Sequence, residues 1–343
     1  MIRITIASIF FLLSFNINAQ SINEEEKHQQ FVLADSSIIT GTIVFENETV
    51  VQIKNLSGDE IRINKSNILI QNGVVVDQKF RSFIDPSRLA EQTDSTIVRL
   101  ELIGGSVLIG IVMAEDSTSI TLNLLSNIET TFNKNLIIKR EIVSANIQKG
   151  QYWIPDPNST RLFFAPTGRG LKSGDGYFAV YEILFPMVAV GIADYFTLAG
   201  GISLVPGSSE QIIYFAPKIT FYQNENFAVS IGDFLVKFPN DSESLNIFYS
   251  VGTASFKKGA ITLGVGLETN SNDPIFLIGG ELRISRYTKI ITENWFIADS
   301  DFNFASLGLR FLGENLAADF AFVIPLGSDD IVFIPWIGFA YNF

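Results

Sequence analysis

The stretch that decides the fold is the last one: Ile331-Val332-Phe333-Ile334-Pro335-Trp336-Ile337-Gly338-Phe339-Ala340-Tyr341-Asn342-Phe343. Its odd positions are all Ile, Phe, Pro or Tyr, while the even ones include Gly338, Ala340 and Asn342. A period of two over that length predicts a β-strand with one apolar face and one face of small or polar residues. A water-soluble domain seldom finishes on such a strand without a polar tail.

The same alternation recurs upstream. In 260–268, Ile261, Leu263, Val265 and Leu267 share one face, and Thr262, Gly264, Gly266 and Glu268 the other. In 303–312, Ala305, Leu307, Leu309 and Phe311 oppose Ser306, Gly308 and Arg310. In 316–325, Leu316, Ala318, Phe320, Phe322 and Ile324 oppose Asp319. Residues 151–343 hold 34 of the 42 aromatic residues and 19 of the 26 glycines. They divide into twelve strand-like segments: 160–167, 177–193, 196–205, 211–222, 227–238, 244–256, 260–268, 275–285, 289–297, 303–312, 316–325 and 331–343. Short gaps alternate with longer ones, 168–176 among the long, and ten or fourteen strands remain open. The apolar run 185–205 also reads as a membrane helix, but Asp194 would then sit in mid-bilayer and Pro186 and the glycines oppose a helix. A hairpin turning at Asp194-Tyr195 is the reading adopted.

Over 151–343 these features resemble the Gram-negative outer-membrane β-barrel proteins. Asn18-Ala19-Gln20 and the Phe-, Asn- and Ile-rich usage are similar to Bacteroidetes-type members. The resemblance implies an all-β fold, an antiparallel transmembrane barrel at 160–343, in contact with outer-membrane lipid. It also makes Phe339, Tyr341 and Phe343 the signal read by the barrel-insertion machinery. A Lys or Arg facing lipid near the midplane costs about 2–4 kcal/mol. Alternation therefore places Lys218, Asp233, Lys237, Glu268, Glu281, Arg283, Arg310 and Asp319 in the lumen, with Trp336. Two readings of these charges stand open: walls of a polar conduit, or groups that pair across a filled barrel.

Ahead of the barrel, Arg3, an apolar run Ile4–Phe15 and Ala19 predict a secretory signal peptide over 1–19, followed by a polar leader over 20–30. Residues 33–70 align without gaps to 102–139 at an offset of 69, with eleven identities in 38 pairs, among them Ser37/Ser106, Gly41/Gly110 and Asn64/Asn133. This predicts two duplicated SH3- or Sm-like β modules, 31–73 and 99–150, which the outer-membrane reading places in the periplasm. A connector over 74–98 contains a short helix at Asp85–Gln92, and 151–159 is a Pro-rich linker. Asn47, Asn55 and Asn64, each in an Asn-x-Ser/Thr triplet, read as turn formers.

Composition removes whole classes of function. A net charge of -12 argues against nucleic acid as a partner. No Cys and a single His, His28, exclude thiol catalysis, Cys- or His-clustered metal sites and a Ser-His-Asp triad. The expectation is therefore a non-enzyme without cofactor or bound metal. The long gaps are acidic (Asp175, Glu210, Asp241, Glu243, Asp273, Asp299, Asp301, Asp329 and Asp330, against Arg169 and Lys172) and read as solvated surface. Gly168–Gly174 reads as a flexible loop. The function expected is a narrow passive channel for small polar solutes or ions. The alternative is a non-conducting protein linking the outer membrane to a periplasmic partner or to peptidoglycan.

Overall fold

The computed structural model describes residues 28–56, 58–75, 96–148, 150–208, 210–239, 244–298, 303–327 and 332–343. The signal peptide, most of the polar leader, the connector helix at 85–92 and the acidic residues Asp241, Glu243, Asp299, Asp301, Asp329 and Asp330 lie outside the described residues. The chain forms two compact units, Met1–Gln151 and Tyr152–Phe343.

The first unit is built from β1 (Gln29–Leu33), β2 (Ile38–Glu46), β3 (Val50–Lys54), β4 (Glu60–Asn64), β5 (Ile68–Gln71), β6 (Val74–Val75), β7 (Ile97–Leu102), β8 (Val107–Glu115), β9 (Ser119–Leu124), β10 (Glu129–Asn133) and β11 (Ile137–Ile142). Pairing runs β4-β3-β2-β1-β5 in the first half and β10-β9-β8-β7-β11 in the second. The 3-10 turn at Lys65–Asn67 recurs at Lys134–Leu136, and the ladder irregularity at Ile43/Phe45 recurs at Val112/Ala114, both at the offset seen in the sequence. The halves meet where Ile38 pairs with Val107, its own counterpart in the repeat. Across the seam Ile109 N donates to Ser37 Oγ and Thr40 N to Ser106 Oγ, both at 3.0 Å, which is one contact made twice about a local two-fold.

Neither half closes into the small barrel that an SH3- or Sm-like module implies: β4 and β5 do not pair, nor do β10 and β11. Each sheet instead stays open and lays its apolar face against the other. Phe31, Ile53, Ile63, Leu100, Leu122 and Phe132 belong to one core shared by both halves. Asn47 makes the turn chemistry expected of it, its Oδ1 accepting from Thr49 N and Val50 N. Asp116, its counterpart in the repeat, does the same for Thr118 N and Ser119 N. Asn55 Oδ1 accepts from Asp59 N.

The two short strands β12 (Ile147–Gln148) and β13 (Gln151–Tyr152) precede a closed antiparallel barrel. Its twelve strands are β14 (Gly176–Tyr181), β15 (Phe185–Ala193), β16 (Phe196–Ile202), β17 (Ile213–Gln223), β18 (Phe227–Lys237), β19 (Leu245–Phe256), β20 (Gly259–Glu268), β21 (Pro274–Ser285), β22 (Thr288–Ile297), β23 (Asn303–Leu312), β24 (Leu316–Leu326) and β25 (Ile334–Asn342). The expected count of twelve holds, but two of its segments change. Residues 160–167 are not a wall strand, and 177–193 is a hairpin, β14–β15. The hairpin was hidden because its turn, Glu182-Ile183-Leu184, has no Gly, Pro or Asn, although Glu182 and Ile183 adopt φ of 49° and 64°. The 185–205 run is β15 and β16 turning at Asp194-Tyr195, and no helix among the described residues is long and apolar enough to cross a membrane.

The ends of the barrel differ. Connections at 194–195, 224–226, 257–258, 286–287 and 313–315 are tight, and β14 starts and β25 finishes at that end. Most connections at the other end are longer, as at 203–212 and 238–244. Outward positions carry exposed apolar side chains, among them Leu263, Val265, Leu307, Phe320 and Phe339, each more than 40% exposed. So large an apolar band left open to water is unfavourable. Surrounded by hydrocarbon it is stable, because closure gives every barrel strand a neighbour on both sides for its backbone groups.

Candidate functional site

The lumen is not empty. Residues 153–175, between β13 and β14, run back inside the wall, and Leu162, Ala165 and Thr167 are wholly buried there. This segment contains both 160–167, expected as a strand, and Gly168–Gly174, expected as a flexible loop. Gly168 is required by close approach: a Cβ there would stand 2.2 Å from Ala228 O in β18. Conversely, a Cβ on Gly279 of β21 would strike Leu162 at 2.1 Å. Arg169 accordingly belongs to the inner segment, while Lys172 and Asp175 are exposed where that segment leaves the lumen at the tight-turn end, and none of the three lies in a loop of the long end.

Charges join the segment to four consecutive strands. Arg161 Nη1 bonds Asp319 Oδ2 of β24 at 2.6 Å, and Asp319 Oδ1 accepts from Arg310 Nε of β23 at 2.6 Å. Arg310 Nη1 reaches Asp156 Oδ2 at 3.2 Å, and Asp156 also pairs with Lys289 of β22. Lys289 Nζ stands 2.5 Å from Glu281 Oε2 of β21, whose Oε1 pairs with Arg169 at 2.7 Å. The result is an unbroken series of alternating sign: Arg161, Asp319, Arg310, Asp156, Lys289, Glu281, Arg169. In so buried a place each charge is tolerated because its neighbours of opposite sign offset it, and Arg161, whose Nε and Nη2 have no hydrogen-bond partner among the described residues, also stands over the Tyr181 ring, 5.3 Å from its centroid. Arg310 Nη1 also donates to Asn158 O, and its Nη2 to Leu162 O. On the opposite wall Lys218 Nζ donates to the carbonyls of Thr160, Thr167 and Arg169, at 3.3, 3.2 and 2.6 Å. Gly168 N donates to Thr253 Oγ1 and Ser230 Oγ donates to Gly168 O. The wall thus satisfies the backbone of a segment that has almost no secondary structure of its own.

Of the residues expected in the lumen, Lys218, Glu281, Arg310 and Asp319 face the inner segment as described. Arg283 faces inward at the tight-turn end, its Nη1 donating to Ile154 O at 2.8 Å with the guanidinium over Trp153. Glu268 occupies an inward register position at the rim, where its carboxylate accepts from Asn270 N and Ser271 N and shapes the 269–273 loop. Asp233 and Lys237 are corrections. Their β18 neighbours Phe234 and Val236 pack inside, so both charges occupy outer-face positions, Lys237 at the long-loop rim opposite Ile213. Their assignment gave the cost of a charge facing lipid more weight than the run of small residues, whereas the inner face in 227–237 is set by Ala228, Ser230 and Gly232. Phe339, Tyr341 and Phe343 are exposed, and the first two lie on the outer face of β25.

Sequence reading missed Asp156, Arg161, Arg169, Lys289 and Glu293. Lys289, Ile291, Glu293 and Trp295 alternate on the inner face of β22, a signal present in the sequence but blurred by Thr292 and Asn294 on the outer face. Nothing local marks Asp156, Arg161 or Arg169 as luminal, since their segment has no periodicity.

No family model matches the chain, and no curated protein matches it. Among solved structures, the KdgM porin in complex with disordered oligogalacturonate aligns at TM-score 0.39 and 12% identity, over 49% of this chain and 98% of that one. A triple mutant of the Rhodopseudomonas blastica porin aligns at TM-score 0.29 and 10% identity, over 73% and 99%. At that level of similarity the solute named for KdgM says nothing of this chain.

Proposed function

We propose that this chain is an integral outer-membrane β-barrel protein of the channel type whose conduit is held shut by its own residues 153–175. The observation that carries the reading is the seven-membered charge series from Arg161 to Arg169, which spans inner segment and wall. Its groups neutralise one another, so in this state they hold the barrel together and are not free to select solutes. The exposed apolar belt supports the membrane setting. The tight-turn end, where β14 starts and β25 finishes, is then periplasmic, and the first unit lies in the periplasm. There the internal recurrence supports a duplicated module that serves as a brace or as a docking body for a periplasmic partner. The same charge series favours a second reading, in which the barrel never conducts and only anchors that body.

Single-channel recording of the refolded protein in a planar bilayer tests both. The intact protein is expected to be silent or to show rare small openings. An Arg161→Ala/Arg169→Ala variant, with two anchors of the inner segment cut, is expected to open steadily, with ion selectivity set by the freed Lys218, Glu281 and Arg310. Steady large openings in the intact protein would overturn the shut-conduit reading. Silence in both, with heat-modifiable migration showing a folded barrel, would move the assignment to the anchor.

A further inference from the structure

The inner face of the barrel changes character along its axis. Toward the tight-turn end it is charged and filled by the inner segment. Toward the long-loop end most inward positions around one cavity are apolar: Phe234, Ile247, Ile275, Trp295, Val323 and Trp336, with Phe163 and Phe164 of the inner segment as the floor. Barrel interiors in membranes are ordinarily polar, so this inversion needs a reason. Packing alone does not supply it, because a cavity of about 250 Å³ remains among these side chains.

Water gains little there, since it needs two or more polar partners. Among the described residues Glu293 is the only carboxylate lining the cavity, and its oxygens accept from Phe164 N at 2.9 Å, Ala165 N at 3.1 Å and Trp295 Nε1 at 2.8 Å. Ser306 Oγ donates to Glu293 O. The side-chain polar group left over on the lining is the buried Trp336 Nε1, which has no acceptor among the described residues. An apolar guest recovers dispersion contacts that the lining otherwise lacks. An anionic guest would meet the Glu293 carboxylate.

We infer that the long-loop half of the lumen is a binding site for a small neutral apolar molecule, aromatic or short-chain. A cavity of roughly 150 Å³ holds benzene, so this one suits a guest of about ten carbon atoms by the same scale. The inference stands whether or not the barrel conducts.

The test uses the three tryptophans of the full chain. In a Trp153→Phe background the remaining indoles, Trp295 and Trp336, both line the cavity, and bromobenzene serves as a heavy-atom quencher. Quenching is expected to saturate with bromobenzene concentration, and Val323→Phe, which fills the cavity, is expected to raise the half-saturation concentration at least tenfold. Heat-modifiable migration confirms that each variant is folded, and Ile247→Phe replaces Val323→Phe if the latter does not fold. Quenching that rises linearly and equally in both proteins would show partition into the surrounding amphiphile and overturn the site. Saturation untouched by the filling substitution would also overturn it.

Discussion

At the scale of single residues, Asp319 answers two buried guanidinium groups at once, those of Arg161 and Arg310. Truncating one member of a buried ion pair leaves its partner uncompensated, at about 3–5 kcal/mol. Asp319→Ala is therefore expected to lower the stability of the barrel by that amount, whereas Glu46→Ala, which removes the exposed partner of Lys65, should cost less than about 1 kcal/mol. Denaturant titration followed by gel migration and exchange separates the two. Asp35 in the first unit makes a different case. It is fully buried, with Oδ1 accepting from Ser37 N and Oδ2 from Ser126 N, both at 2.8 Å. Burial raises its pKa, and the hydrogen bonds from Ser37 and Ser126 offset only part of that. The folded protein then holds this proton at pH values where the unfolded chain has released it. Stability of the first unit should fall as pH rises from the unfolded carboxylate range through the folded value. Hydrogen exchange of the amides around Leu33–Ser37 and Ser126 should quicken correspondingly, after correction for intrinsic rates, and Asp35→Asn should abolish that slope. A slope that survives Asp35→Asn would assign it to another group.

At the scale of elements, β20 shows how much alternation carries. Leu263 points out and Thr262 points in, where its hydroxyl bonds Thr253 Oγ1 across the β19–β20 pair. Leu263→Arg puts a charge in the middle of the apolar belt and should cost about 2–4 kcal/mol in a lipid bilayer. The comparison to make is unfolding of the wild type and variant in vesicles; equal midpoints would remove Leu263 from the lipid face. The β-strands with regular alternation, β20, β23 and β24, were legible residue by residue. The β14–β15 turn was not, because Glu182 and Ile183 bear a left-handed backbone without the usual turn residues. In β18 the small residues Ala228, Ser230 and Gly232 define the inner face, and the cost of a charge facing lipid pointed the wrong way for Asp233 and Lys237.

At the scale of the whole molecule, the inner segment offers trypsin three sites, Arg161, Arg169 and Lys172. With Arg161 2% exposed and bonded to Asp319, cleavage there is expected only after the barrel unfolds. Mass spectrometry of the digest, before and after heating, reads this directly, and ready cleavage at Arg161 in the folded protein would mean that the segment leaves the lumen. The antiparallel order and the two-residue period were determined by the sequence itself, whereas the count of twelve came out because the false strand at 160–167 offset the hairpin hidden in 177–193. The inward register of Arg310 and Asp319 follows from the same period, and in the first unit the turn and the ladder irregularity recur at the offset of 69 seen in the alignment. Each of these rests on a local pattern, repeated every two residues or at one fixed offset, and local patterns survive in one dimension. Only the tertiary structure decided that residues 153–175 lie inside the wall, that the charges pair into one series, and that the other half of the lumen is largely apolar and partly empty. The inner segment has no period of its own. Its course is set by the side chains of four or more separate strands, which come together only once the barrel has closed.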